Sequence, residues 1–586
     1  MNKITAILSL LLAGAINCPA APAYVEPVDT SAVDTSGWSE RPALAFAWAS
    51  KDVHHRRFAT PPAYTCGDTT VMAWRGERLG LEALVSAAAA AEPVAVKLSA
   101  FTDADGREVE MPGSEAMFMR YVWATDERRC GYADTVNPAP AYTIADMIDL
   151  PGASVAIPRN SVRPVWCTVE VPRDIRPGMY RATLTLCDEA TKAPLDSLTL
   201  NVDVASASLP TPHDYVFYLD LWQQPYAISR YYGLEPWSDE HLRALEPYAR
   251  LMARLGQRAV TTVLFYEPWG EQSNDKFEPM VKTVRRTDGS WHFDYTDFDR
   301  YVDFMAAQDI DQGIDCFSMV PWELKFRYFD EASGAYKFLD APTSSPQYRE
   351  LWTAALRSLK EHVEARGWLE KTYIYMDERG LDQMRDAMSV LAEAAPDLKI
   401  ALAGYYHSEL APLMHIYSLG KDGYFSEEEL ALRRDKELLS LRYTCCADPE
   451  PSQFINNDPA DGTYLPVHAT AIGYDGYLHW SFQNWTGSPM TDSRFFMFGP
   501  GDTYFIYPDG RSSVRYERFA EGVQLSEKIR LLRERFTAAG DAPALCELDC
   551  ALGDVRRVGM TASESSAAII SQLIYHINRL TNKLSQ

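Results

Sequence analysis

The architecture of this chain is indicated most directly by the segment Lys371-Thr-Tyr-Ile-Tyr-Met-Asp-Glu-Arg-Gly380. Residues 373–376 predict a short buried strand that ends in two adjacent carboxylates, Asp377 and Glu378, and a helical pattern follows at 381–394. In a (β/α)8 barrel, chemistry takes place at the C-terminal ends of the strands. A carboxylate pair at such an end is a candidate acid and polar orienter for glycosidic bond cleavage. Taken alone, the pair is explained more simply as the start of a solvated loop, so its surroundings decide the interpretation.

Strands and helices alternate on both sides of this segment. Strand-like runs are predicted at 216–221, 260–265, 313–318, 373–376, 399–404, 423–425, 442–446 and 476–480. Helical patterns lie between them at 239–255, 297–308, 347–366 and 381–394, and a closing helix is predicted at 512–536. Eight strands with intervening helices over about 330 residues predict one (β/α)8 TIM barrel.

The residues before the barrel have a different pattern, with short strand-like runs and no long helical segments between them. Alternating runs such as Val165-Trp-Cys-Thr-Val-Glu-Val171 are separated by Pro and Gly turns, which is typical of a β-sandwich. Trp74 belongs to such a run and is expected in the core. The chain is therefore interpreted as multidomain α/β: a signal peptide at 1–23, an N-terminal β-sandwich at 24–206, a catalytic (β/α)8 domain at 207–540 and a C-terminal helical tail at 541–586, with a helix at 563–580.

The bulk composition limits the classes of partner. The formal net charge of −25 repels nucleic acid, and it disfavours highly sulfated polyanions more weakly. The chain is 12% aromatic and contains 14 Trp. Aromatic faces stack on the apolar faces of sugars, although they also build protein cores, so this enrichment only suggests a carbohydrate ligand.

The first residues predict export. Lys3 precedes an apolar run at 4–15 that is too short to span a bilayer, and Ala21-Pro-Ala23 resembles a signal-peptidase site. We expect a mature start near Tyr24 and a bacterial periplasmic or extracellular location. Cys18 makes a lipoprotein the alternative, although Asn17 is not the small residue that a lipobox places before its cysteine. No later apolar run predicts a transmembrane segment.

Ten cysteines are too sparse for a disulfide scaffold in a chain of this length. Export permits disulfides, and Cys546 and Cys550 are candidates for a local bridge. Their C-x3-C spacing without a second pair is weak evidence for zinc. No metal-ligand pattern is found, and neither a metal nor a cofactor is expected.

Polar and aromatic residues collect at the predicted strand ends, where a barrel site would place them. Any one of them is as well explained by packing, but together they are more typical of a carbohydrate pocket than of a core. The candidates for substrate binding are Asp220, Trp222, Trp322, Tyr405, Tyr406, His407, Tyr443, Trp480 and Trp485, beside the candidate catalytic pair Asp377 and Glu378.

Several ordered motifs make the sequence resemble glycoside hydrolase family 123. They are Leu219-Asp-Leu-Trp-Gln-Gln-Pro-Tyr226, Ser318-Met-Val-Pro-Trp322, Tyr375-Met-Asp-Glu-Arg379, Ala403-Gly-Tyr-Tyr-His407, Tyr443-Thr-Cys-Cys446, Gly476-Tyr-Leu-His-Trp480 and Gly501-Asp-Thr-Tyr-Phe-Ile-Tyr-Pro508, continuing through Ser512-Ser-Val-Arg515 to Glu521-Gly522. The resemblance extends over about residues 70–535, across the sandwich and the barrel, whereas the tail after Phe536 has no counterpart in the family pattern.

The resemblance implies an exo-acting β-N-acetylgalactosaminidase with a retaining mechanism that uses the substrate's own 2-acetamido group. Glu378 would be the acid/base, with a pKa raised by its charged neighbour, and Asp377 would orient and stabilise the acetamido group. An ordinary retaining enzyme needs a second carboxyl about 5 Å away across the sugar. Asp220 is the only other candidate, and nothing in its context marks it as a nucleophile.

Further roles are assigned by position alone. Tyr405 or Tyr406 would donate to the acetamido oxygen, Trp480 or Trp485 would stack on the sugar, and Trp322 would wall the acetamido pocket. The expected partner is thus a glycan with terminal β-linked N-acetylgalactosamine. Two alternatives stay open, namely a β-N-acetylglucosaminidase or broader β-hexosaminidase, and a non-catalytic exported glycan-binding protein.

Overall fold

The computed structural model describes residues 25–448, 450–557 and 564–584. The predicted signal peptide at 1–23, with Cys18, lies outside these residues. The described chain forms an N-terminal β-rich domain followed by a nearly closed barrel of eight parallel strands, so the predicted fold class is confirmed. No helix within the described ranges combines the length and the apolar character needed to cross a bilayer.

Two packed sheets form the N-terminal domain. Its strands are β1 (Ala45–Ala49), β2 (Asp68–Arg75), β3 (Arg78–Ala87), β4 (Ala91–Leu98), β5 (Phe101–Thr102), β6 (Glu108–Val109), β7 (Glu115–Ala124), β8 (Tyr142–Ile148), β9 (Ser154–Ile157), β10 (Ser161–Glu170), β11 (Gly178–Asp188) and β12 (Pro194–Ser208). One sheet has the order β1-β3-β10-β7-β8, and the other contains β2-β12-β11-β4-β9 with β5 and β6 at its side. Alternate residues such as Val165 and Leu184 point between the sheets and are fully buried, as the sandwich pattern predicts.

The second domain contains a barrel and a smaller side sheet. Its strands are β13 (Tyr218–Leu221), β14 (Ala259–Val263), β15 (Lys282–Arg285), β16 (Trp291–Asp294), β17 (Gly313–Phe317), β18 (Lys325–Asp330), β19 (Ala335–Asp340), β20 (Thr372–Asp377), β21 (Lys399–Gly404), β22 (Ile416–Leu419), β23 (Leu439–Tyr443) and β24 (Gly476–His479). The barrel order is β13-β24-β23-β22-β21-β20-β17-β14, all parallel. Its two ends meet where the Arg258 N–H donates to the Leu219 carbonyl over 2.9 Å.

Helices surround the barrel and continue beyond it. They are α1 (Pro225–Tyr232), α2 (Asp239–Leu255), α3 (Thr296–Ala306), α4 (Pro346–Ala365), α5 (Leu381–Ala394), α6 (Glu427–Asp435), α7 (Ala460–Ala471), α8 (Val514–Ala539), α9 (Ala542–Ala551) and α10 (Ser566–Lys583). Serine side chains cap the first turns of α2, α4, α6 and α8, which explains why these helices begin where they do.

Two predicted strands are corrected. The sixth strand is not 423–425 but β22, and Phe425 instead packs in the turn before α6, where its N–H donates to the Tyr474 hydroxyl over 3.0 Å. The seventh strand, β23, begins three residues earlier than the predicted 442–446. Tyr443 therefore lies at the C-terminal end of its strand rather than at the beginning, which is the end that faces the site.

The C-terminal helices hold the two domains together. Trp74 of the sandwich is fully buried, as expected, and its indole N–H donates to the Thr581 hydroxyl of α10 over 3.0 Å.

A disulfide joins Cys130 of the N-terminal domain to Cys446 of the barrel. The alternative of a local bridge between Cys546 and Cys550 is wrong, since both are free and exposed on α9.

Candidate active site

A cavity of about 480 Å³ opens at the C-terminal end of the barrel. Each predicted strand end except the second and the sixth contributes to the residues that sequence reasoning selected, and most of those residues meet here. The selected residues that line the cavity are Trp222, Trp322, Asp377, Glu378, Tyr405, Tyr406, Tyr443 and Trp480.

The backbone after β20 turns sharply to present the acidic pair. Glu378 has a φ of 49°, in the left-handed region of the backbone that residues other than glycine rarely adopt. Its N–H donates to the Ala403 carbonyl of β21 over 2.7 Å, which extends the strand pairing by one residue. The next residue of β21 is Gly404, with a φ of 153°, and a Cβ there would lie 2.9 Å from the Glu378 Cα. A glycine at 404 is thus what allows the strained turn to sit against β21.

The two carboxyls have different partners. The indole N–H of Trp322 donates to Asp377 Oδ2 over 3.3 Å, and the hydroxyl of Tyr443 donates to Glu378 Oε1 over 3.2 Å. Arg379 donates to the Asp377 carbonyl, and its guanidinium lies over the Trp322 ring at 4.5 Å. The neighbouring side chains are therefore held by different partners, Trp322 for Asp377 and Tyr443 for Glu378.

The surroundings of Asp377 change its ionisation. Burial and the charge of Glu378 raise the pKa of Asp377 to about 7, against the lowering effect of the Trp322 hydrogen bond and Arg379. Sequence reasoning expected the raised pKa on Glu378, whereas the structure raises that of Asp377. With a pKa of about 7, Asp377 is present in both its protonated and its ionised form near neutral pH, so it can either donate or accept a hydrogen bond there.

Indole rings form the apolar wall of the cavity. Trp222 and Trp480 have ring centroids 6.1 Å apart, and Trp269 lies 5.6 Å from Trp222 and 4.8 Å from Trp480. Such a wall in the same cavity as hydrogen-bonding carboxyls suits a ring that has both an apolar face and hydroxyl groups. The two predicted tyrosines differ, since Tyr405 is 62% exposed at the rim while Tyr406 donates to Glu429.

Asp220 is not a direct contact of a ligand in this cavity. Its side chain is fully buried inside the barrel near Asp315, and burial raises the pKa of both carboxyls. Asp220 Oδ2 accepts the indole N–H of Trp222 over 3.2 Å. It acts as a positioning residue beneath the aromatic wall, and the predicted role in substrate binding is corrected.

Two further predicted contacts lie away from the cavity. The Trp485 indole is fully buried and donates to the Ile506 carbonyl over 2.8 Å, with its ring 5.4 Å from that of Tyr248. His407 does not line the cavity, and its backbone N–H donates to the Tyr417 hydroxyl over 2.9 Å. Trp485 is thus a core residue, which leaves Trp480 as the stacking candidate of strand eight.

Sequence reasoning missed several lining residues. Trp269 lines the cavity and follows β14, and its place soon after a strand-like run, in Glu267-Pro-Trp269, is a signal that the sequence contains. Asp502 is 3% exposed, its Oδ1 has no hydrogen-bond partner, and burial raises its pKa to about 8. The Cys130–Cys446 disulfide also lines the cavity, so the N-terminal domain supplies part of the wall. Nothing local in the sequence predicts this contribution.

Within the described residues, no group of three or more His, Cys, Asp or Glu side chains could hold a metal ion. What the site offers is a paired acid and acceptor, a tyrosine hydroxyl and an indole wall. This combination can bind a sugar and exchange a proton with a leaving oxygen.

Comparisons with known proteins agree with this chemistry. The model of the glycoside hydrolase 123 catalytic domain matches residues 222–532, and that of the glycoside hydrolase 123 N-terminal domain matches 48–188. The structure of a family 123 glycoside hydrolase from Clostridium perfringens, studied for glycolipid glycan hydrolysis, is similar with a TM-score of 0.82 and 22% identity, over 93% of this chain and 99% of that chain. At this identity the likeness establishes the fold.

More distant structures add nothing to the assignment. A β-glucuronidase from Bacteroides uniformis gives a TM-score of 0.30 at 12% identity, over 82% of this chain and 50% of that chain. A comparison with curated protein sequences gave no match. The catalytic-domain model alone matches more than half of the chain, and a second model of the same family matches the N-terminal domain. The chain therefore belongs to glycoside hydrolase family 123.

Proposed function

We propose that this glycoside hydrolase is an exo-acting, retaining β-N-acetylgalactosaminidase that uses the substrate's 2-acetamido group as its nucleophile. The observation that carries the proposal is the adjacent pair Asp377–Glu378, with each carboxyl directed by its own partner, Trp322 or Tyr443. Two carboxyls on consecutive residues would reach a bound sugar from the same strand end. They are suited to one acid and one orienting carboxylate rather than to two carboxyls acting on opposite faces.

The proposed reaction proceeds in two steps. The acetamido oxygen attacks C1 and the glycosidic C–O bond breaks, while Glu378 gives its proton to the leaving oxygen and Asp377 accepts a hydrogen bond from the acetamido N–H. Glu378 then takes a proton from water, which attacks C1 and opens the oxazolinium ring. The ionised form of Asp377 stabilises the positive charge of that ring.

A side-chain nucleophile is less well supported by the cavity. Asp502 lines the wall, but with a pKa of about 8 it holds a proton at neutral pH and is a poor nucleophile. Asp448 also lines the cavity, where Oδ2 accepts the Cys445 N–H over 2.9 Å and burial raises its pKa. Asp502 is better suited to donate a hydrogen bond to a sugar hydroxyl than to attack C1.

The relative from Clostridium perfringens, studied for glycolipid glycan hydrolysis, suggests a natural substrate. We propose that terminal β-linked N-acetylgalactosamine of glycolipid glycans, or of oligosaccharides derived from glycosaminoglycans, is removed by this protein. Trp322 and Tyr405 are exposed where they line the cavity, so the rest of the glycan could extend past them into solvent while one terminal residue is bound.

The test is the release of p-nitrophenol from aryl β-N-acetylgalactosaminide, β-N-acetylglucosaminide and β-galactoside. We expect the first to be preferred and the galactoside, which lacks the acetamido group, to be inert. Glu378→Gln and Asp377→Asn should each lower kcat by about 10²- to 10⁴-fold. Asp382→Asn is the matched control. That nearby carboxylate is 95% exposed, so its neutralisation should leave kcat unchanged.

Other results of this assay would support the alternative functions. Preference for the glucosaminide would make the protein a β-N-acetylglucosaminidase or a broader hexosaminidase. Equal hydrolysis of the galactoside would contradict substrate assistance, and failure of a thiazoline analogue of the oxazolinium ion to inhibit would count against it too. Glycan binding without turnover in the wild type would favour the binding-protein alternative.

Export is part of the proposal. The disulfide between Cys130 and Cys446 fits an oxidising compartment, where such bonds persist. We propose a periplasmic or extracellular location, with lipidation at Cys18 as the alternative. Cell fractionation of the full chain beside Cys18→Ser checks both, since only a lipoprotein would lose membrane association in the variant.

A further inference from the structure

A side sheet beside the barrel presents an exposed aromatic face. Its strand order is β16-β15-β18-β19, and β19 is an end strand. Phe326 of β18 points inward and is fully buried, with its ring 5.8 Å from Trp352 of α4. On the opposite face, Arg327 pairs with Phe338 across β18 and β19. One face of the sheet is thus fixed to the barrel and the other is free for a ligand.

We name as the aromatic face the five residues Tyr266, Arg327, Phe329, Tyr336 and Phe338. Tyr336 is 67% exposed and Phe338 is 52% exposed. The ring of Phe329 lies 5.4 Å from that of Tyr336, and the ring of Tyr266 lies 6.0 Å from that of Phe338. Large apolar side chains left in water as a contiguous group mark an interaction surface more often than single exposed residues do.

A cation fixes this group in place. The Arg327 guanidinium lies 4.1 Å from the centre of the Tyr266 ring and 5.2 Å from that of Tyr336, and it pairs with Glu278. These contacts hold the rings in position before any ligand arrives, which lowers the entropy lost on binding. The guanidinium also supplies hydrogen-bond donors between the rings.

The aromatic face is continuous with the mouth of the cavity. Tyr266 and Trp269 belong to the same loop after β14, and Trp269 lines the cavity wall. On this loop the Pro268 carbonyl accepts the backbone N–H of Trp322 over 2.9 Å. Trp322 in turn donates a hydrogen bond to Asp377 and is 42% exposed, and β18 begins three residues later. The loop after β14 and the chain that follows Trp322 therefore connect the cavity wall to the side sheet.

We propose that the aromatic face binds the sugar residues that follow the bond to be cleaved, so that an extended oligosaccharide lies across Trp322 and the side sheet. This proposal rests on the proposed function, since the terminal sugar must occupy the cavity. Aromatic rings stack on the apolar faces of pyranose rings, and Arg327 would donate to their hydroxyl groups. Continuity with the cavity favours a glycan over an unrelated partner.

The test compares one short and one long substrate. We would measure kcat/KM for aryl β-N-acetylgalactosaminide and for a tetrasaccharide ending in β-N-acetylgalactosamine, with the wild type and with Tyr336→Ala/Phe338→Ala. Both side chains are exposed, so the fold should be retained. The double variant should lose about tenfold on the tetrasaccharide, the effect of about 1.4 kcal/mol of lost binding, and should keep the wild-type value on the aryl substrate. Tyr575→Ala, at a tyrosine 58% exposed on α10, is the matched control and should change neither.

Each other result overturns a stated part of the reasoning. The double variant could have the same kcat/KM as the wild type on the tetrasaccharide while the aryl substrate is hydrolysed. This result would refute glycan binding by the aromatic face and would leave the proposed function unaffected. No hydrolysis of either substrate by the wild type would refute the proposed function and this inference with it. A change in oligomeric state or in sedimentation with phosphatidylcholine vesicles in the double variant, with unchanged tetrasaccharide hydrolysis, would assign the face to a second copy or to a lipid surface instead.

Discussion

Replacing Gly404 with alanine should disable the acidic pair without touching it. Alanine at a φ of 153° occupies a region that only glycine adopts easily, at a cost of about 1–3 kcal/mol. The new Cβ would lie 2.9 Å from the Glu378 Cα and 3.1 Å from its N. Carbon atoms prefer separations of about 3.5–4.0 Å, so the Glu378 backbone must move by about half an ångström, and its carboxyl by more.

That displacement sets the expected loss of activity. A shift of about 1 Å in a catalytic group costs about 10²-fold, so kcat/KM on the aryl substrate should fall about 30- to 100-fold. The free energy of unfolding should fall by only about 1–3 kcal/mol, which leaves a folded protein. Steady-state kinetics, together with thermal unfolding, measures both quantities on one preparation.

Gly380→Ala is the matched control. Gly380 lies two residues after Glu378, but its φ of −68° is ordinary and a Cβ there would meet only Gln383 Oε1 at 4.0 Å. Its kcat/KM should stay within about twofold of the wild type, because the new Cβ would not contact the acidic pair; replacing the N-cap glycine with alanine should lower stability by about 1 kcal/mol. A Gly404→Ala enzyme with kcat/KM within threefold of the wild type, or an equal loss in Gly380→Ala, would refute the reasoning.

Three further changes test other contacts. Trp322→Phe removes the hydrogen bond that favours ionised Asp377, so its pKa should rise above about 7 and the rising limb of the kcat–pH profile should move to higher pH; an unmoved limb would contradict this. Asp502, with a native pKa of about 8 against about 3.9 unfolded, binds its proton more tightly when folded, so its stabilising contribution is lost as pH rises from about 4 to 8. Denaturant unfolding of Asp502→Asn should thus show a weaker loss of stability over this range than the wild type, and parallel curves would disprove the assignment. Cys130→Ser/Cys446→Ser should lower the free energy of unfolding by about 2–5 kcal/mol, and dithiothreitol should then have no further effect on the unfolding temperature.

The elements that carry the chemistry were readable because their signals are local. The prediction for helix α5 agrees with the structure at both ends, and strand β21 agrees as well. A buried run followed at once by two carboxylates marks a strand end, and barrel topology then brings such ends together. This is why Asp377, Glu378, Trp322 and Tyr443 could be placed around one cavity from the sequence.

The errors arise where the burial of a residue in the folded chain, and not its sequence pattern, determines whether it lines the cavity or belongs to a strand. Trp480 and Trp485 both follow the eighth strand, yet only the first lines the cavity, because Trp485 is enclosed by α1, α2 and the chain near Ile506. Strand β22 has only four residues, all buried, so no alternation of apolar and polar residues distinguishes it, whereas the aromatic pair Tyr424-Phe425 predicts a strand that does not form. The part of the wall built by Cys130 comes from the other domain, and no local signal reports a contact between residues 316 positions apart.

That long-range bond has a topological consequence. With Cys130 and Cys446 joined, the intervening chain is a closed covalent ring that contains seven of the eight barrel strands, while β24 and α8 lie on the arm outside it. A single peptide cleavage at the junction near residue 210 would open the ring and still leave one molecule under non-reducing conditions. The disulfide links the two domains at the cavity. The part of the cavity wall that the sandwich contributes therefore stays next to the acidic pair as long as the disulfide is intact.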